Sequence, residues 1–208
     1  MAERRYCLSC MKEFSVAPIR LLLEGDVHIC DECLSQIEYE LSYEKIYGIK
    51  VLFLYKFNFF LERLLIQYKE QMDYELRSFF LYPLKLLVRQ FALGKKIVPC
   101  PSSAKSIERR GFDHLAEMLS SIGLPSVSVL SKEGKSQKNR TLAKRLEKQE
   151  ISLTSESSLV QGKNVILFDD VFTTGETFRQ SLEVLRGSHP RRIWGLILLD
   201  NRVTSFKK

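Results

Sequence analysis

The chain has 208 residues, 45% of them hydrophobic and 27% charged, with a formal net charge of +7 and five cysteines. That length accommodates one α/β domain of ~150 residues plus a small accessory module, and excludes two full domains. The apolar fraction excludes a disordered chain. The longest apolar stretches, residues 51–61 and 79–88, are each broken by a lysine and are too short to span a bilayer. Met1–Arg5 leads into no hydrophobic secretory segment, so a cytoplasmic protein is expected.

Charge is unevenly spread. Residues 1–48 carry 5 basic and 9 acidic side chains, residues 49–150 carry 19 and 10, and residues 151–208 carry 8 and 6. The excess in the middle points to an anionic partner such as phosphate, pyrophosphate or nucleic acid, against the alternative of a solvated lysine-rich surface.

At the N-terminus Cys7 and Cys10 form one pair, and Cys30 and Cys33 a second. A two-residue spacer lets both sulfurs of a turn reach one tetrahedral ion at ~2.3 Å, which is the spacing of a structural zinc site. Iron suits four thiolates as well, whereas a reducing compartment disfavours disulfides. The acidity of this segment argues against an independent DNA-binding finger and for a scaffold or docking role. His28 is an alternative ligand or an ordinary histidine. Cys100, at the end of the apolar run Ile97–Pro101, reads as a buried thiol rather than a nucleophile.

Further along, Leu115, Ala116, Leu119 and Ile122 share one face of a helix that Asp113 is placed to cap. Residues 132–148 contain seven basic and two acidic side chains and no extended apolar run. The strongest local signal lies at Val165–Phe168, a continuous apolar run of the kind found in a parallel strand covered on both faces. Asp169 and Asp170 follow, then a turn with Thr173, Thr174, Gly175, Glu176 and Thr177. Phe178, Leu182 and Leu185 then recur at helical spacing, and Gly187 supplies a stop. Amides that open a helix bind anions, and the glycine allows close approach while the threonines offer hydroxyls. Two carboxylates beside a phosphate site would repel phosphate. They make sense as acceptors for hydroxyls on the same ligand, a combination that calls for a ribose 5-phosphate. The plain alternative is an N-capped helix after a buried strand. A last apolar strand, Ile193–Leu199, ends in Asp200, Asn201 and Arg202.

The 13-residue run Val165–Thr177 resembles the signature of the type I phosphoribosyltransferases at every position: four hydrophobic residues, two acids and a Thr-Thr-Gly-x-Thr turn. Both cysteine pairs, the segment Leu64–Tyr74, and Val98–Pro101 leading to Glu108–Asp113 also fall in the order of the ComF family of bacterial DNA uptake. That resemblance covers nearly the whole chain. It implies an α/β fold, with a phosphoribosyltransferase-like parallel sheet flanked by helices over residues 47–208 and a hood-like zinc module over residues 1–46. It further implies structural Zn2+ on Cys7, Cys10, Cys30 and Cys33, and Mg2+ bound together with phosphoribosyl pyrophosphate.

In the resemblance, Asp169 and Asp170 hold the ribose hydroxyls, and Thr173, Thr174, Gly175, Glu176 and Thr177 hold the 5-phosphate. A pyrophosphate loop over Pro101–Gly111 offers Lys105, Arg109 and Arg110, and Lys69 is a second basic position. The stretch 132–148 corresponds to a lid, with Gln137 and Arg145 at family-type positions and Lys148 where relatives tend to have asparagine; a charged surface loop is the other reading. Two functions follow. One is a phosphoribosyltransferase, or a ligand-binding relative, serving the uptake of transforming DNA. The other is a non-catalytic adaptor that binds single-stranded DNA and docks a helicase-type ATPase (ComFA-like) through the zinc module. For DNA contact, Tyr55, Phe57, Phe59, Phe60 and Tyr68 interleave with Lys56, Arg63 and Lys69, although core packing also explains most of these rings.

Overall fold

A computed structural model describes residues 3–16, 28–133 and 150–202. The chain opens with an antiparallel hairpin of β1 (Glu3–Tyr6) and β2 (Glu13–Val16), and a one-turn helix α1 (Asp31–Leu34) follows. Next come β3 (Tyr39–Ile46), β4 (Ile49–Lys56) and helix α2 (Phe59–Glu70). Two short 3-10 turns then lead into α3 (Lys85–Ala92) and β5 (Lys96–Pro99). Helices α4 (Ala104–Arg110) and α5 (His114–Ser121) precede a small ribbon of β6 (Leu130–Glu133) and β7 (Glu150–Leu153). The chain ends in β8 (Asn164–Phe172), α6 (Glu176–Arg186) and β9 (Arg192–Asp200).

Five strands form the main sheet in the order β3-β4-β9-β8-β5. Only β3 is antiparallel; β4, β9, β8 and β5 run parallel. The cause is visible in composition. Val51–Tyr55 and Val165–Phe168 are continuous apolar runs and are buried on both faces of the sheet. β3 alternates exposed and half-buried residues, as an edge strand can. Tyr47 and Gly48, with φ of 49° and 84°, make the two-residue turn into β4; positive φ at both positions matches the twist of a hairpin. The expected division at residues 46/47 falls inside this hairpin, because β3 is hydrogen-bonded to the large sheet rather than to the cysteine segment.

The helix ends follow from caps. Asp113 Oδ1 accepts from the Leu115 and Ala116 amides, as the sequence anticipates, and Asn58 caps α2 through the Leu61 amide. Residues 104–110, expected in a loop, are helical. Ser103 accepts from the Ser106 amide at one end, and Gly111 takes the left-handed conformation, φ 81°, at the other.

The core is aromatic. Phe53, Phe79, Phe80, Phe168 and Phe178 are fully buried, and so are Tyr55 and Tyr68, whose hydroxyls donate to the Phe80 and His114 carbonyls. Burial removes Tyr55 and Tyr68 from any surface that stacks on bases, whereas Phe59 is 83% exposed. Among the described residues no helix is long and apolar enough to cross a membrane. Because four strands are parallel, their carboxyl ends lie along one margin of the sheet, where α/β proteins bind ligands.

Candidate functional site

The cysteine pairs converge. The sulfurs of Cys7, Cys10, Cys30 and Cys33 all lie within 4.8 Å of one another, and none is in a disulfide. Cys10 Sγ is 3.7 Å from Cys30 Sγ, about the edge of a tetrahedron with ~2.3 Å zinc–sulfur bonds. The Cys30 amide donates to Cys7 Sγ at 3.4 Å. Burial pushes the Cys7 thiol up, but the amides of Cys30, Cys10 and Ser9 outweigh it and bring it down to about 7. A compact set of four sulfurs with amides aimed at one of them fits a thiolate-bound metal. His28, 5 residues or fewer from Cys30 and Cys33 in the chain, is not in the cluster.

The second site lies at the carboxyl ends of β5 and β8. Asp169 and Asp170, 8% and 6% exposed, close β8 against a cavity of about 370 Å3. Lys69 Nζ donates to Asp170 Oδ2 at 2.7 Å, and His114 Nε2 lies 2.8 Å from the same oxygen. His114 Nδ1 is 3.3 Å from Ser102 Oγ, which accepts from Arg110 Nη2 at 3.0 Å. The two aspartates therefore differ. Burial, and then the charge of Asp170, push Asp169 up to about 7. Burial acts on Asp170 as well, but Lys69 and His114 overcome it and hold that carboxyl well below the ordinary range.

Past the aspartates the chain turns through Gly175, φ 72°, into α6, whose first amide, that of Glu176, donates to Thr174 Oγ1 at 3.4 Å. A Cβ at Gly175 would lie 2.4 Å from Phe172 Cζ, so glycine is required both for the conformation and for the close packing. The N-terminus of an eleven-residue helix, with its dipole behind it, forms an anion-binding end.

Of the residues singled out by sequence, Asp169, Asp170, Thr173, Thr174, Gly175, Glu176, Thr177, Lys69 and Arg110 all line this one cavity. Lys132, at the start of the basic stretch, lines it too. Lys105 and Arg109 do not: Lys105 is exposed, and Arg109 pairs with Glu70 on the surface. Arg145, Gln137 and Lys148 lie outside the described residues. The cavity gains Ser102, Ser103, Ser106 and His114, which sequence reasoning missed. His114 had no signal, because its partner Asp170 is 56 positions away. Cys100 is buried beside Asp169, and burial raises its thiol well above its usual value, as expected of an inert cysteine. Beyond β9, Arg202 makes a two-pronged pair with Glu44 at 2.6 and 2.7 Å, which ties the strand end to β3.

A parallel sheet whose carboxyl margin presents two aspartates, a glycine-opened helix end and buried cations defines an α/β protein shaped to hold an anionic, hydroxyl-bearing ligand. Residues 106–208 match the family model described as the phosphoribosyl transferase domain, a match over just under half of the chain. No curated protein matches the chain. Among solved structures it is similar to a hypoxanthine-guanine phosphoribosyltransferase from Bacillus anthracis, at 17% identity over 63% of this chain and 70% of that one, TM-score 0.41. It is also similar to a hypoxanthine phosphoribosyltransferase from Staphylococcus aureus, at 16% identity over 65% and 66%, TM-score 0.38. A third is the glutamine phosphoribosylpyrophosphate amidotransferase from B. subtilis, at 22% identity, TM-score 0.35. The likeness there covers 54% of this chain and only 24% of that enzyme.

Proposed function

We propose that the chain is a ComF-type phosphoribosyltransferase that binds phosphoribosyl pyrophosphate with Mg2+ in the cavity beneath α6 and acts in the uptake of transforming DNA. The observation that carries this reading is the convergence of Asp169, Asp170, the Thr173–Thr177 turn, Lys69 and Arg110 on one cavity of about 370 Å3. Asp169 and Asp170 accept from the ribose hydroxyls, and the amides and hydroxyls of the turn hold the 5-phosphate. Arg110 and Lys132 face the pyrophosphate. The carboxylates and pyrophosphate oxygens are hard donors that suit Mg2+, which when bound neutralises the leaving group. In the transfer, the bond from the anomeric carbon to pyrophosphate breaks as a nucleophile on the acceptor forms its own bond to that carbon. These residues act by position and charge rather than by covalent chemistry.

In the same proposal the four cysteines hold structural Zn2+, the hood-like module docks a helicase-type ATPase, and the protein works in the cytoplasm. Isothermal titration with phosphoribosyl pyrophosphate and Mg2+ is expected to give one site per chain, weakened by excess ribose 5-phosphate. No heat, and no protection from thermal unfolding, would overturn the reading.

A second reading, binding of single-stranded DNA, is favoured by a separate surface. At the starts of β4 and β9 a hollow of about 610 Å3 is lined by Tyr43, Lys45, Lys50, Phe91 and Trp194, with Glu44, whose carboxylate is paired with Arg202. Tyr43 is 62% exposed, and Lys95 Nζ stands 5.1 Å over both the Phe91 and Trp194 rings. Rings interleaved with lysines suit stacked bases and a phosphate backbone. A fluorescent oligonucleotide is expected to bind with strong salt dependence and without competition from phosphoribosyl pyrophosphate. Absence of binding at low salt eliminates DNA contact, and competition would move the DNA to the Asp169 cavity.

A further inference from the structure

We propose that His114 is a positioning residue that holds Asp170 in a single orientation and links it, through Ser102, to Arg110 in the lining of the same cavity. The inference rests on the phosphoribosyl pyrophosphate reading and adds a role that no motif in the chain supplies.

Donor counting sets the direction of two hydrogen bonds in this chain of groups. Arginine can only donate, so Ser102 Oγ accepts from Arg110 Nη2. An ionised carboxylate can only accept, so His114 Nε2 carries a proton and donates it to Asp170 Oδ2 at 2.8 Å. Ser102 Oγ also lies 3.3 Å from His114 Nδ1. The other carboxylate nearby, Asp113 Oδ1, is 4.0 Å from Nδ1, beyond hydrogen-bond reach, and accepts from the Leu115 and Ala116 amides instead. The imidazole thus connects Ser102 to Asp170.

Its backbone is held as firmly as its ring. The buried Tyr68 hydroxyl donates to the His114 carbonyl at 2.9 Å, and the ring is 5% exposed at the first turn of α5. Lys69 and His114 both engage Oδ2 of Asp170. Neither contact occupies the other carboxylate oxygen, and Asp170 lines the cavity, where that oxygen can meet a ligand hydroxyl. At the far end, Arg110 is 7% exposed, and its Nε is buried with no partner among the described residues. Arg110 lines the cavity, so the guanidinium that Ser102 anchors is placed for an anion there. Removal of the ring would leave a buried carboxylate short of one donor and a serine hydroxyl short of one partner, a loss typical of buried unpaired groups.

Two variants and one spectrum test this. In the ligand-free protein, nitrogen-15 NMR of the imidazole is expected to show a proton on Nε2; an Nε2 that carries none overturns the proposal. In calorimetry with Mg2+ and phosphoribosyl pyrophosphate, His114→Ala is expected to bind about tenfold more weakly. His114→Gln, whose amide nitrogen can restore the donor to Asp170, is expected to recover affinity to within about threefold. Equal losses in both variants that track their melting temperatures mark a purely structural role and overturn the inference, as does wild-type affinity in the alanine variant. A wild-type protein that binds no phosphoribosyl pyrophosphate refutes the functional reading instead, and the Nε2 proton alone then decides the contact to Asp170.

Discussion

Asparagine at both Asp169 and Asp170 is expected to weaken binding of phosphoribosyl pyrophosphate by more than about 100-fold while leaving the protein folded. Both carboxyls become neutral amides that keep one acceptor oxygen each and lose the charge, and a hydrogen bond to a charged group is worth about 1.5–3 kcal/mol. Unchanged calorimetric affinity in the double variant would remove both residues from the ligand site. The single variants separate the two carboxyls. Asp169 titrates at about 7 in the folded protein, against an ordinary value of 3.8. The stability it contributes is therefore complete below 3.8 and is lost as pH rises through 7. Asp169→Asn is expected to stabilise the fold by about 1–3 kcal/mol at pH 8 and to give no gain at pH 4. Asp170 has the opposite sign: its stability is present above the ordinary carboxylate value of 3.8 and is lost as pH falls toward its depressed folded value. Urea unfolding of Asp169→Asn and wild type at the two pH values checks the asymmetry. A carboxylate kept buried at a cost to stability is common at functional sites.

Removal of the metal is the other large effect. One zinc per chain is expected by elemental analysis, and a strong chelator is expected to unfold the segment around β1, β2 and α1. Structural zinc sites contribute about 10 kcal/mol or more of folding free energy to small modules. Among the described residues of this one, Cys7, Val16, Ile29, Cys30, Cys33 and Ile37 are the buried apolar side chains. Cys33→Ser should reproduce the loss, visible as rapid proteolysis N-terminal to Tyr39, while the five-stranded sheet survives. Cys100→Ser should keep its metal, because that thiol is buried beside Asp169, apart from the four-sulfur cluster. A metal-free protein with an intact N-terminal segment would refute the site.

Some of this architecture was legible because its physics is local. The run Val165–Thr177 holds a buried strand, two acids and a glycine-opened helix within consecutive residues, so its chemistry could be read without knowledge of the fold. The cysteine pairs are similar, since a two-residue spacer itself places two sulfurs on one ion. The cap at Asp113 also depends only on the amides two and three residues away. Arg109 and Arg110 mark where this kind of reading stops. As neighbours in a loop they look equivalent, but on helix α4 successive side chains point about 100° apart. Arg110 therefore enters the cavity and Arg109 reaches Glu70 on the surface.

The opening figures take on more definite meaning in this light. Length, composition and the local motifs by themselves determined an α/β protein with a four-sulfur cluster and an acidic, glycine-bearing anion turn, because each depends on residues within a few positions of one another. Only the tertiary structure decided which of the excess cations serve the site, that β3 belongs to the main sheet, and that His114 joins the cavity wall. Lys69 and His114 meet Asp170 across 101 and 56 positions of chain. Contacts at such separations are set by strand order and the packing of helices on the sheet, which no local pattern encodes.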